Sequence, residues 1–451
     1  MNMKLKFLAT AVAAAVSALS CTSAGAAQQV QWADVAVPQQ FNVAYPGSNP
    51  LFKEGFVTGF GSALAYAGED SDGSLLFLGL TDRGPNADGP MVERDGRKMP
   101  AKYFPAPAFT PEVGVIRLKD GKAEVVSTIP LRNADGSPIT GLPILQGIGS
   151  TGEAALDDAN KPLGYDPNGL DPEGLAIAKD GSMWISDEYG PFLCHFSKDG
   201  VLMEKLAPGE GIPEIFKHRT PNRGAEGVSL MPDGRLAFME QSVLNLKRDG
   251  KSSAKTASFC RIALIDPLTH AVKTVGYPIN DDYKKPGDAK LGDILALSDH
   301  EFLVIEQGKD RDGRMQNRIY RVDASKADDL TSAMKDGLEP EFFKDAGGFR
   351  LAKKTLLVDL RALGWDIEKA EGMTMLPDRK TLAVTNDNDF GLELKISDQE
   401  HPKTKIGKYE LGDDGSFALD GEKAEVKLDF TRNDPKEQVQ KLMLIKFPKP
   451  L

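Results

Sequence analysis

Cysteine is nearly absent: Cys21, Cys194 and Cys260 are all the chain has. So few thiols exclude a disulfide-stapled scaffold, and no C-x-x-C brings two of them to zinc-binding or redox spacing. Histidine is as scarce, with His195, His218, His270, His300 and His401 each isolated in its own segment. There is no H-E-x-x-H, no G-x-S-x-G and no P-loop. The zinc-protease, nucleophile-elbow and phosphate-cradling chemistries therefore leave no signature. Basic charge is short too, because 55 lysines and arginines face 66 acids for a net charge of -11. Nucleic-acid binding needs the opposite sign, so a cation is the better partner. No segment beyond the first residues approaches a transmembrane helix in length and apolarity.

What stands at the start, MNMKLKFLATAVAAAVSALS, is two lysines and a small-apolar run, followed by Ala24-Gly25-Ala26. That pattern predicts a signal peptide over residues 1–26 and a soluble mature protein in the periplasm or outside the cell. Cys21 offers a lipoprotein anchor as a rival, but Ala18 stands where a lipobox would carry leucine. Removing Lys4 and Lys6 takes the net charge to about -13. Cys194 and Cys260 then remain, in FLCHFSKDG and SFCRIALIDP, and read as buried free thiols at equivalent places in neighbouring repeats.

Asp-Gly pairs recur between short apolar runs, as in LAIAKDGSMWIS, VSLMPDGRLAFM and IRLKDGKAEVV. Each is a hairpin signal. Long helical periodicity is lacking, with short candidates only at 324–337 and 358–370. Hairpins of one design begin near residues 59, 171, 225, 292 and 370. Repeats of this kind let one architecture grow without one ever-larger core. The expectation is an all-β chain, a single β-propeller over residues 27–451. Six blades are expected, with five or seven as alternatives. C-terminal strands such as KLMLIKF should pair with N-terminal ones, and the Pro/Gly-rich 133–172 reads as a long excursion.

In such a blade the start of the innermost strand and the end of the second lie at the same end of the hairpin. Glu173, Glu226, Asp293 and Glu371 precede inner strands. Asp82, Asp187, Glu188, Glu240, Glu306 and Asp387 follow second strands, the last beside Asn386. Hairpin geometry therefore gathers acids around one mouth of the central channel. One such acid can cap a turn or pair with an arginine; recurrence in five repeats points to a site. Crowded carboxylates repel unless a cation neutralises them, and hard oxygen ligands suit Ca²⁺. Gly174, Gly227 and Gly372 after the acids would permit close backbone approach. Arg83, Asn86, Arg223, Lys309 and Arg311 stand near these acids in sequence and could hold a small anionic substrate such as a phosphate ester.

TDRGPN at 81–86, FPAPAFTPEVGVIRL at 104–118, DPEGLA with SDEYGPF, NRGAEGVSLMPDG and EGMTMLPD resemble the phytase-like family, described as "esterase-like activity of phytase". The resemblance spans about 55–400. It implies a propeller and a Ca²⁺-dependent phosphoester hydrolase, expected as a monomer. Metal ligands would be Asp82, Glu173, Asp187, Glu188, Glu226, Glu240, Glu306, Glu371 and Asp387, with Glu173, Glu226 and Glu371 central to catalysis. The bound cation would activate water while Arg83 and Arg223 clamp the ester. Two other readings stay open, a propeller lactonase or esterase and a non-catalytic calcium-stabilised binding propeller. Asp293 departs from the pattern, with no glycine after it.

Overall fold

A computed structural model describes residues 29–94 and 96–451. The leader expected at 1–26 and Cys21 lie outside the described residues. Five four-stranded antiparallel blades surround a channel. Their inner strands are Ala63–Glu69, Pro172–Ile177, Ala225–Leu230, Lys290–Ala296 and Gly372–Met375. Successive inner strands contact one another, and the first meets the last, so the ring is closed. The hairpins form where Asp-Gly pairs predict turns. Asp180 accepts from Ser182 N at 3.0 Å while Gly181 takes φ +85°, a left-handed conformation that favours glycine.

Blade two continues through Met183–Asp187, Phe192–Phe196 and Leu202–Pro208, and blade three through Leu236–Glu240, Phe259–Ile265 and Val272–Pro278. The last blade is completed from both ends of the chain. Its second strand, Thr381–Thr385, pairs with Lys441–Lys446, which pairs with Gln29–Ala36. This closure corrects the expected blade count from six to five. The C-terminal and N-terminal strands do pair, but they finish the blade of the 372–385 hairpin instead of adding one.

Five interblade cores match the five blades. Leu175 and Ile185 pack against Ala63 and Leu80, Phe238 against Trp184, Ile262 against Val304, Ile319 against Met373, and Ala383 against Phe77. Burying each large apolar side chain stabilises by about 1.5–3 kcal/mol. The helical candidates do not form α-helices; only short 3₁₀ turns occur among the described residues. At 358–370 one turn, Arg361–Leu363, ends at Gly364, and Trp365, Ile367 and Ala370 fill the core between blades four and five. Segments this short do not overcome helix nucleation.

Two insertions leave from the ends of second strands, on the side where inner strands begin. One carries Ala87–Arg94 and Arg97–Tyr103 out of blade one; the other carries Glu410–Leu411, Phe417–Leu419 and Glu422–Ala424 out of blade five. They join as one accessory sheet, with Ala154–Leu156 of the Pro/Gly-rich excursion as its edge. The excursion also buttresses the mouth, since Tyr189 Oη donates to Gly141 O at 2.5 Å.

Candidate functional site

A bulge aims the recurring glutamates. In blade two the pairing jumps from Gly174↔Ser186 to Pro172↔Asp187, leaving Glu173 unpaired; in blade three it jumps from Gly227↔Met239 to Ala225↔Glu240, leaving Glu226. A bulge of this kind re-aims a side chain. The glycine after each acid faces the next inner strand. A Cβ on Gly174 would lie 2.4 Å from Ser186 Oγ and 2.8 Å from Glu226 O, and one on Gly372 2.7 Å from Ala63 C. Close backbone approach is thus what those glycines permit.

The acids meet at the mouth. Asp171, Glu173 and Glu188 each offer an oxygen within 4.8 Å of the others. Arg83 Nε lies 3.0 Å from Asp171 Oδ2 and Nη2 3.5 Å from Glu188 Oε2, with the guanidinium 5.2 Å from the centre of the Tyr189 ring. The Nε contact is an ion pair without hydrogen-bond alignment, so Asp171 Oδ2 has no hydrogen-bond donor and Arg83 Nη1 no acceptor. Gln241 Nε2 donates to Glu188 Oε1 at 3.1 Å and also to Glu226 Oε1. Across the ring, Lys369 Nζ holds Asp389 at 2.8 Å, Asp387 at 3.2 Å and Glu371 at 3.8 Å.

Burial is the first cause of each upward shift among these carboxylates. It pushes Glu188 and Asp387 up to about 8. Glu173 rises well above the carboxylate range by burial and then by the charges of Glu226, Asp171 and Glu371. Glu226 rises by burial and by Glu188 and Glu371, and Asp82 by burial and by Asp387 and Asp171. These mutual effects place Asp82, Glu173, Glu188, Glu226, Glu371 and Asp387 in one electrostatic unit, as the hairpin geometry predicts. The donor set is all oxygen and under-neutralised, which fits a hard divalent cation.

Four acids do not join it. Asp187 turns away beneath the rim, its Oδ1 accepting from Asp171 N at 3.0 Å and Tyr189 N at 3.1 Å. Glu240 is in register with Asp187, and the residue in register with Glu188 is Gln241; both Glu240 oxygens are buried without a partner. Glu306 is likewise one residue early, paired with Lys354 at 2.6 Å and accepting from Tyr277 Oη at 2.8 Å. Asp293 occupies the position of Gly227, because Gly292 is the bulged residue of blade four, and its Oδ2 accepts from Met373 N at 2.8 Å. In a strand, a slip of one residue exchanges faces.

Of the basic residues expected here, only Arg83 reaches the acids. Asn86 lines an adjacent cavity of about 570 Å³ that includes Lys102 and Asp389. Arg223 is engaged by Gly287 O and lies 3.5 Å from Ser242 Oγ. Lys309 is exposed at the end of its strand, and Arg311 Nε donates to Tyr283 O at 3.1 Å, away from the rim. No histidine stands among the rim carboxylates; His195, for one, stacks on Trp184 at 4.2 Å. Cys194 and Cys260 are free and buried, as expected.

Sequence reasoning passed over Asp171, Lys290, Lys369, Asp389 and Gln241. Asp171 opens the DPEG motif itself, two residues before Glu173. Lys369 stands two before Glu371, and Lys290 is paired with Gln307 in the corresponding place. Counting back two residues from Glu173, Gly292 and Glu371 would have found all three.

A closed propeller carrying a buried acidic mouth beside a fixed arginine is the class that fold and site define. The family described as "Phytase-like: Esterase-like activity of phytase" matches residues 57–390, and the chain belongs to it. An "Uncharacterized secreted protein" of Arthroderma benhamiae is 28% identical over 330 residues, covering 61% of this chain. The match spans 64% of that relative's length, just under two thirds. Among solved structures, a putative glucose dehydrogenase of Thermus thermophilus is 14% identical with a TM-score of 0.29, covering 83% of this chain and 98% of its own. Virginiamycin B lyase of Staphylococcus aureus is 13% identical with a TM-score of 0.29, covering 79% and 95%. Likeness at that level carries no argument about chemistry. No helix among the described residues is long and apolar enough to cross a membrane.

Proposed function

We propose that residues 27–451 form one exported domain, periplasmic or extracellular, that hydrolyses phosphate esters at the rim with the help of Ca²⁺. The observation that carries this reading is the convergence of Asp171, Glu173 and Glu188 oxygens within 4.8 Å of one another, beside an arginine with an unused donor. Asp171, Glu173 and Glu188 would hold the ion, with Asp82, Glu226, Glu371 and Asp387 supplying further negative charge. A hard divalent cation, when bound, supplies Lewis-acid charge to a phosphoryl oxygen and favours ionised carboxylates around it.

The chain's own residues supply the rest. Arg83 is held against Asp171, Glu188 and Tyr189, so its guanidinium is oriented before an anion arrives. Glu226, outside those three ligands, is the strongest candidate to carry a proton, because burial and the charges of Glu188 and Glu371 raise its affinity for one. Glu226 is fixed by Gln241, and Glu371 by Lys369, which keeps each carboxylate at the mouth.

Hydrolysis of p-nitrophenyl phosphate, bis(p-nitrophenyl) phosphate and a lactone, each with and without EDTA, tests the reading. Chelator-sensitive phosphoester turnover that falls by about 10²–10⁴ in Glu226→Gln is expected. Lactone turnover alone overturns the phosphate assignment, and no turnover on any of the three leaves a calcium-stabilised binding propeller.

A further inference from the structure

A second charged place lies apart from the rim, between blades three and four. A cavity of about 240 Å³ is lined by Lys255, Lys284, Lys285, Arg311 and Lys344, with Asp281 as its one acidic lining residue. On a chain of net charge -11 this is a local reversal of sign. None of the five cations makes an ion pair with a carboxylate among the described residues. Of the neighbouring acids, Asp282 and Asp345 are engaged elsewhere, and Asp288 is held by the backbone of Lys285 at the cavity's edge. Asp282 pairs with Arg318 at 2.6 Å, Asp288 Oδ2 accepts from Lys285 N at 3.1 Å, and Asp345 Oδ1 accepts from Gly347 N at 3.1 Å.

Like charges gathered without counter-charge repel, and a bound anion relieves that repulsion. The walls are built from separate segments of chain. A 3₁₀ turn, Ser253–Lys255, packs against Pro286–Asp288, and Arg311 is anchored by its Nε–H to Tyr283 O. The cavity is smaller than the roughly 300–1,000 Å³ pockets that enclose organic ligands. Thr256, Ser258 and Asn280 add neutral polar groups to the lining.

We propose that this basic cavity is a binding site for a multivalent oxyanion, of the oligophosphate class, independent of any cation at the rim. Such a ligand comes either as a small soluble anion or as part of a longer polyphosphate chain. Five lysine and arginine charges can offset several phosphoryl groups, whereas one phosphate would engage only some of them. The site does not depend on the rim being catalytic.

The test is titration calorimetry with tripolyphosphate in EDTA, where no divalent cation can bridge an anion to the rim acids. Wild-type protein should bind it, with affinity falling as salt rises. Lys284→Glu/Lys285→Glu should weaken binding by about tenfold or more. Both lysines are exposed and without ion pairs, so folding should be unaffected. Lys179→Glu/Lys198→Glu makes the same charge change in exposed turns of blade two and should leave binding nearly intact. Absence of binding to the wild type overturns the proposal, as does an equal loss in both variants, which would mean diffuse attraction. Long-chain polyphosphate compared at equal phosphate concentration identifies the source. Tighter binding marks a polymer site, and equal or weaker binding a site for the small anion.

Discussion

Replacing Glu226 with Gln removes one carboxylate from the rim and keeps its shape, whereas replacing Glu240 with Gln removes one that the strand register turns away. The two variants therefore separate a rim role from mere acidity. Calcium at about 100 times its dissociation constant stabilises a folded state that alone binds it by about 2.7 kcal/mol. With roughly 2.1 cal/mol/K of unfolding entropy per residue, a chain of this length should melt about 3 °C higher. Loss of one carboxylate, taken to weaken affinity by about 10–100-fold, would leave only about 0.4–1.4 kcal/mol at the same calcium concentration, or roughly 0.5–1.5 °C. Glu240→Gln should keep the whole 3 °C. Differential scanning fluorimetry in EDTA and then in excess calcium reads both. If Glu240→Gln loses the response and Glu226→Gln keeps it, the register assignment is wrong. A wild-type melting temperature indifferent to calcium would reduce the rim acids to ion-pair partners.

The pH dependence has a definite sign. Burial holds Asp187 at about 7, and Glu188 and Asp387 at about 8, so the folded chain keeps protons that unfolded carboxylates release near pH 4. The stability these groups contribute is complete below about pH 4 and is lost as the pH climbs through about 8. Melting temperature in EDTA should therefore fall from pH 5 to pH 8.5, and a rise over that interval would contradict the cause given. Gly174→Ala puts a methyl 2.4 Å from Ser186 Oγ and 2.8 Å from Glu226 O, which should destabilise by about 1–3 kcal/mol and blunt the calcium response. A variant melting like the wild type would show that the inner strands yield. Cys194, its thiol pushed up to about 12 by burial, and Cys260 should react with a maleimide only after denaturation; labelling of the native protein refutes this.

The closed ring was legible because it rests on local signals. Asp-Gly turns bound apolar runs, and Glu-Gly pairs open inner strands at Glu173, Glu226 and Glu371. What sequence could not deliver was the last residue of register. In blade two the sequence offered both Asp187 and Glu188, and register puts Glu188 at the rim; in blades three and four it offered Glu240 and Glu306, whereas the positions corresponding to Glu188 hold Gln241 and Gln307. One residue is a whole face in a strand, and pairing partners are not written in the segment itself. The accessory sheet was illegible for a related reason, since its strands come from segments more than 300 residues apart, with Glu410↔Met91 as one pair.

Blade four shows what departure from the repeat does. Its Gly-Asp reverses the Glu-Gly order found in blades two, three and five, so no carboxylate bulges into the mouth from that side. The position two residues before the bulged residue carries Asp171 in blade two but Lys290 in blade four, and the position two before Glu371 in blade five carries Lys369. Five identical repeats would create a uniform ring and draw a cation to the axis. Here the three convergent oxygens all come from blade two, while two lysines enter from blades four and five. The field at the mouth is therefore polarised. Under the proposed function a cation would sit off the axis toward Glu173 and Glu188, and Arg83, beside that same acidic pole, would bring an anion to it.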